Sequence, residues 1–295
     1  MRVPVTIVLS ALLLSACGQR GQEAASPKPP MPADAGSPEV QAALAHPLDR
    51  ILAGDWRDEK NKARDVYRHP RETLAFFGVA RGQNVIEIWP GGGWYAEILA
   101  PLMRDAGDYT AIIPDPSKLA DAEAQAATAK RNQALREKFG ARGDIFDRAR
   151  LIEVDTNAPV LGAPGSADVV LTFRNVHNWV MDGQEKAMFA AFFAVLKPGG
   201  TLGVVDHRAR PGAPAEEMKT SGYLPEDYVI ELAKAAGFEL VEKSEINANP
   251  KDTKDYPGGV WTLPPSLKEG DVDRAKYLAI GESDRMTLRF VKPKP

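Results

Sequence analysis

One cysteine in 295 residues, at position 17, is the sharpest shortage in this sequence. A single thiol allows no disulfide within the chain, and beyond position 17 it leaves no thiolate nucleophile and no cysteine-based metal site. Positive charge is not in surplus either. The 37 Lys and Arg are scattered among 40 Asp and Glu, for a net charge of −3. With no basic stripe to neutralise phosphates, nucleic acid is not an expected partner. The apolar run near the start, "VTIVLSALLL" (Val5 to Leu14), is too short to span a bilayer. No internal repeat is evident. Apolar residues make up an ordinary 44%, and the length suffices for a full hydrophobic core.

Arg2, the apolar run and then "LSAC" (Leu14 to Cys17) form a charged, an apolar and a small-residue region in series. "LSAC" resembles the lipobox of bacterial lipoproteins. That resemblance implies that residues 1–17 are a removed signal peptide and that Cys17 becomes a lipidated N-terminus. An ordinary signal peptide with a chance cysteine is the alternative. Residues 18–38 are mostly Gly, Gln, Ala, Ser and Pro, which cannot bury enough apolar area to offset ordering; they read as a flexible tether. Gly18 stands where an Asp favours inner-membrane retention in enterobacterial lipoproteins. The resemblance therefore implies a lipid anchor in the cell envelope facing the periplasm, on the outer membrane rather than the inner, with the lipid as the sole membrane contact.

Residues 39–295 read as one α/β domain. A helical extension, "PLDRILAGDWRDEKNKARDVYRHPRETLAFFG", precedes a first strand at "NVIEIW". Strands then alternate with helical patterns: "WYAEILAPLM", "YTAIIP", a long helix from Ser117 to Phe139, "RLIEVD", "ADVVLTF", "QEKAMFAAFFAVL", "TLGVVDH", "EDYVIELAKAAG", "FELVEKSEI" and "RMTLRFVKP". Seven strands result, mostly parallel, with helices on both faces. Only the last pair lacks an intervening helix. Between them residues 247–283, rich in Pro, Gly, Asp and Lys, form an excursion of the length usually given to a functional cover.

Two turns carry the chemistry. In "VLKPGGTLGVVDH" (Val195 to His207) Pro198 ends a helix and two glycines reverse the chain into an apolar strand. In "VIEIWPGGGWYAEIL" (Val85 to Leu99) an acid-bearing strand runs through three glycines into a helix, where a ligand can pass against bare backbone. Together these resemble the class I S-adenosylmethionine-dependent methyltransferases, from roughly Val66 to Pro293. The resemblance implies a Rossmann-like sheet with an antiparallel last strand, and S-adenosyl-L-methionine as cofactor. It gives Glu87 the acidic position of the first motif and Gly91 and Gly93 the second and third glycines. Trp89 stands in place of the first, so an indole beside the cofactor either reshapes its pocket or closes it.

By the same resemblance, Asp115 after the second strand accepts from the ribose hydroxyls, a task for which a carboxylate has the acceptor capacity. Asp155 after the third accepts from the adenine amino group. Either is equally placed for a local role, Asp115 as a helix cap and Asp155 as a turn former. After the fourth strand comes the polar cluster Arg174, Asn175, His177 and Asn178. His177 is the candidate general base, with Asn175 and His207 as further catalytic candidates, or else a loop histidine bonded to backbone. Strand alternation sends Asp206 and His207 to opposite faces, so that one of them lines the pocket. His177 and His207 without a positioned third ligand make no metal site. Tyr256 and Trp261 in the excursion form either an acceptor wall or a hydrophobic clasp.

The function implied is methyl transfer to a small-molecule acceptor, by orientation and general-base assistance. Two alternatives stay open. "GGGWYA" (Gly91 to Ala96) also satisfies a dinucleotide fingerprint with Asp115 at ribose distance, as in an NAD-type oxidoreductase. A non-catalytic envelope binding protein on a methyltransferase scaffold is the other, because S-adenosylmethionine is made in the cytoplasm.

Overall fold

The computed structural model describes residues 47–295. The expected signal peptide with Cys17, the expected tether at 18–38 and residues 39–46 lie outside them. Strands β1 (Asn84–Ile88), β2 (Asp108–Pro114), β3 (Arg150–Val154), β4 (Ala167–Phe173), β5 (Leu196–His207), β6 (Glu239–Ser244) and β7 (Arg285–Val291) form one sheet in the order β3-β2-β1-β4-β5-β7-β6. All neighbours pair in parallel except β7, which runs antiparallel to both β5 and β6. An all-parallel dinucleotide fold has no such inserted strand.

Residue alternation splits the core. Ile86, Ile88, Val170, Leu202 and Val204 face a layer that includes Trp179, Phe189 and Phe192. Val85, Ala111, Ile113, Val169 and Leu171 face the other layer, with Ile98, Leu99, Leu135 and Phe139. Strands covered on both faces read as continuous apolar runs, which is why β1, β2 and β4 are plain in the sequence. Edge strand β6 is largely exposed and carries Glu239, Glu242 and Lys243, charges that discourage further pairing.

Four elements differ from expectation. The excursion before the last strand, expected without a helix, holds one at Arg274–Ile280. The helix expected over 117–139 is a short 3₁₀ turn, Pro116–Lys118, and a helix Ala122–Ala141 whose Asp121 cap accepts from Ala124 N at 2.7 Å. The N-terminal extension is four short helices, Pro47–Leu52, Glu59–Lys62, Asp65–Arg68 and Pro70–Phe76. Its last break comes at His69, whose φ of 41° is left-handed just before Pro70. The helix ahead of Pro198 already ends at Val195, with Leu196 extended.

The excursion is firmly tied down. Asn247 donates to Thr73 Oγ1 and Thr287 Oγ1 at 3.1 and 3.0 Å. The Asp252 carboxylate accepts from Tyr223 OH at 3.0 Å and from Asp284 N at 2.7 Å.

Candidate functional site

The order of strands reverses at β1, which has β2 on one side and β4 on the other. In open α/β sheets ligands bind beyond the carboxyl ends of the strands at such a point. The glycine turn begins there. Trp89 leaves β1 with a φ of 50°, and Gly91 and Gly93 follow at 59° and 82°. The indole position thus keeps a glycine-like backbone, at a cost of about 1–3 kcal/mol for a non-glycine residue. Packing offsets it: the Trp89 ring stands edge-on to buried Trp179, 5.4 Å between centroids. Gly91 faces open space, and a Cβ on Gly93 would meet Leu135 Cδ1 at 3.1 Å. Asn175 pins the turn from the end of β4, donating to Ile88 O at 2.8 Å.

A cavity of about 410 Å³ opens beside this turn, walled by Trp89, Gly91, Ile113, Pro114, Thr156, Asn175 and Gln184. The indole forms a wall and leaves the cavity open. Helix Ala122–Ala141 contributes Thr128, Arg131, Asn132 and Leu135. The i, i+4, i+7 spacing of Thr128, Asn132 and Leu135 could have revealed this face in the sequence. Gln184 donates to Thr156 Oγ1 at 2.9 Å, fixing the wall beyond β3. Asp115 and Asp155 lie at the strand ends as expected, but each side chain serves a local turn. Asp115 Oδ1 accepts from Ser117 N and Oγ at 2.8 and 2.7 Å, which hold its carboxyl below the usual range. Asp155 Oδ1 accepts from Asn157 N at 2.9 Å. In both, Oδ2 has no hydrogen-bond partner among the described residues.

On the other side of the turn, a cavity of about 150 Å³ is bounded by Glu87, Tyr95 and three arginines, Arg64, Arg68 and Arg174. Glu87 is buried and accepts from Tyr109 OH at 2.6 Å. Burial pushes its carboxyl up to about 8, against the opposing pull of Tyr109 and Arg68. Behind the arginines lies buried Glu282, paired with Arg64 at 2.6 Å, Arg68 at 3.1 Å and Arg285 at 3.0 Å. Burial raises its carboxyl, but the surrounding guanidinium groups win and hold it at about 2. This cluster was not anticipated from the sequence.

A third cavity, about 220 Å³, is lined by Arg174, His177, Asn178, His207, Val260 and Trp261. His177 Nδ1 lies 2.8 Å from Asp206 Oδ1. Asp206 is fully buried and accepts also from His207 N and Val176 N, both at 2.7 Å. An ionised carboxylate only accepts, so the ring proton of His177 sits on Nδ1 and Nε2 is left basic. His207 Nδ1 is 2.5 Å from Ser283 Oγ. Burial, His177 and nearby arginines hold its imidazole well below the ordinary range, hence neutral. His207 lines the cavity and Asp206 does not, yet their side chains do not part to opposite faces: both approach His177, Asp206 through Nδ1 and the His207 ring at 4.9 Å between centroids. Donor atoms of His177, Asp206 and His207 fall within 4.8 Å of one another, a third potential ligand not foreseen from the sequence. The Asp206 oxygens are, however, committed to four N–H groups, the His177 backbone amide at 3.4 Å included. Val260 packs on Ala209 and Tyr223, so the excursion is both clasp and cavity wall.

No protein-family model and no curated protein matches the sequence. Solved structures do match in fold. A SAM-dependent methyltransferase from Aquifex aeolicus aligns at 16% identity and a TM-score of 0.52, over 84% of this chain and all of its own. A protein from Galdieria sulphuraria assigned as a sarcosine dimethylglycine methyltransferase aligns at 14% and 0.54, over 85% of this chain and 90% of its own.

The fold is that of S-adenosylmethionine-dependent methyltransferases.

The [4+2]-cyclase SpnF also shares it, at 19% identity and a TM-score of 0.53, over 84% of this chain and 93% of its own. The methyltransferase fold therefore does not by itself fix a reaction. The residues must do so. Among them, the bare Gly91 backbone, the Thr156–Gln184 wall and the buried, unpartnered Trp89 Nε1 fit a nucleoside-bearing cofactor in the larger cavity.

Proposed function

We propose that this chain is an S-adenosyl-L-methionine-dependent methyltransferase acting on a small-molecule acceptor, with His177 as general base. One juxtaposition carries the reading: Asn178 borders both the cavity at the glycine turn and the cavity holding the Asp206-oriented His177. Trp89, Gly91, Thr156 and Gln184 would hold the cofactor, whereas Asp115 and Asp155 sit next to the wall residues Pro114 and Thr156 without lining the cavity themselves. The cofactor supplies an electrophilic methyl group on a sulfonium. His177 Nε2 takes the proton of an acceptor hydroxyl or amine, and Asp206 stabilises the imidazolium that forms. Neutral His207 offers a hydrogen bond without adding charge. Val260 and Trp261 keep bulk water from the base.

Calorimetry of the full chain tests this: S-adenosylhomocysteine binds and NAD⁺ does not. NAD⁺ binding alone would favour the oxidoreductase alternative, and heat with neither ligand the non-catalytic scaffold. The lipobox resemblance further supports envelope anchoring through Cys17, facing the periplasm. Metabolic labelling with a palmitate analogue marks the wild type and not Cys17→Ser; equal labelling of both would sink that assignment.

A further inference from the structure

Charge in the cavity beside Glu87 does not balance. Arg64, Arg68, Arg174 and Arg285 converge on one carboxylate, Glu282. Asp206 acts on Arg174 from the histidine side, and its oxygens already serve the His177 ring and three backbone amides. Counting Glu87 as ionised still leaves one positive charge over. With Glu87 protonated, as its buried position dictates below pH 8, two are left.

The donors are unspent as well. Arg64 and Arg68 each have a buried terminal nitrogen, and Arg285 a buried Nε, with no hydrogen-bond partner. The Arg68 side chain is 5% exposed and lines the cavity. Arg174 makes no side-chain hydrogen bond or ion pair among the described residues, and its backbone is held in the left-handed region at a φ of 62°. Burying such groups unpaired is costly, and strain of this kind persists at ligand clamps.

We propose that this chamber binds a compact oxyanion, a carboxylate or phosphate, carried by the acceptor, so that the substrates are small organic acids. The inference rests on the methyl-transfer reading. The cofactor has a carboxylate too, but its amino-acid portion is a zwitterion of zero net charge, and its sulfonium adds a positive charge to the site. An anionic acceptor offsets part of this surplus, which a neutral one cannot do. Arg174 lines both this chamber and the His177 cavity, so an acid seated on it can present a neighbouring hydroxyl or amine to the base.

Trp89 and Trp94 line the chamber, with the Arg68 guanidinium 4.8 Å from the Trp94 ring, so intrinsic fluorescence reports on occupancy. The probe is malonate, with neutral malonamide as its control, titrated into the full chain. Malonate gives a saturable change and malonamide none, and Arg174→Met and Arg68→Met each weaken malonate about tenfold or more. Arg174→Lys and Arg68→Lys each recover part of the loss, which separates lost charge from a folding defect in the Met variants. Equal response to malonate and malonamide, or no saturable response, overturns the proposal. Malonate binding to the protein saturated with S-adenosylhomocysteine assigns the chamber to the acceptor. Competition by S-adenosylhomocysteine but not by 5′-methylthioadenosine, which lacks the carboxylate, assigns it to the cofactor and overturns the proposal. Malonate binding with neither nucleoside bound leaves the anion chamber standing while the methyltransferase reading fails.

Discussion

Trp89 shows how a residue can break a local rule and be held in place by its neighbours. Its backbone is left-handed, which a glycine adopts freely, while its ring is wedged against Trp179. Two substitutions separate these effects. Trp89→Ala loses the ring and keeps the strain; Trp89→Gly loses the ring and relieves the strain. Both are less stable than wild type, by about 3 kcal/mol or more for the lost aromatic. The glycine variant is the more stable of the two by about 1 kcal/mol. Urea denaturation checks the order, and an alanine variant equal to or above the glycine one would show that the left-handed turn is absent in solution. The replacement of glycine by tryptophan was visible in the sequence. Its outcome was not, because side-chain direction depends on Trp179, which lies 90 residues away on the helix Val176–Asp182.

At the scale of elements, the end of β5 and the start of helix Val176–Asp182 form one device. The Asp206 carboxylate accepts from the first amide of that helix and from the His177 ring, so the strand sets both helix position and base orientation. Asp206→Asn can satisfy the helix amide yet no longer forces the ring proton onto Nδ1. Release of S-adenosylhomocysteine from S-adenosylmethionine, with a small-molecule extract as acceptor source, is expected to drop about 100-fold or more, with cofactor affinity held within about twofold. An unchanged rate would remove His177 from the base role. Elements were largely legible in advance because runs such as "ADVVLTF" are buried on both faces, and Gly and Pro mark their ends. Helix Ala122–Ala141 was misplaced at its start because Asp115 and Asp121 are both competent caps, and each caps its own turn.

Across the whole molecule, two buried acids pull stability in opposite directions with pH. Glu282 drops from an ordinary 4.5 to about 2 on folding, so its contribution is complete above 4.5 and is lost as pH falls toward 2. Glu87 rises from 4.5 to about 8, so its contribution is complete below 4.5 and is lost as pH climbs through 8. Melting temperature should therefore peak between these limits. Glu87→Gln flattens the alkaline arm, while Glu282→Gln flattens the acid arm and lowers the peak, since it takes the ion-pair partner from Arg64, Arg68 and Arg285. Parallel melting curves for wild type and variants from pH 3 to 9 would refute both assignments. None of this was readable beforehand. Arg174 stands in the polar cluster after the fourth strand, but Arg64, Arg68 and Arg285 look like solvated surface charges one at a time, and only the fold brings the four together.

That convergence has a consequence for how the protein is born. Arg64 and its partner Glu282 are separated by 218 residues, and Arg285 donates to the Tyr67 carbonyl across the same span. Contacts so distant in sequence form late, after loop closure has been met by earlier pairings. A nascent chain emerging from its N-terminus can assemble β1 to β4 and the glycine turn long before Glu282 exists to complete the arginine chamber. The arginine chamber therefore takes shape only once Glu282 and Arg285 have docked against Arg64 and Arg68.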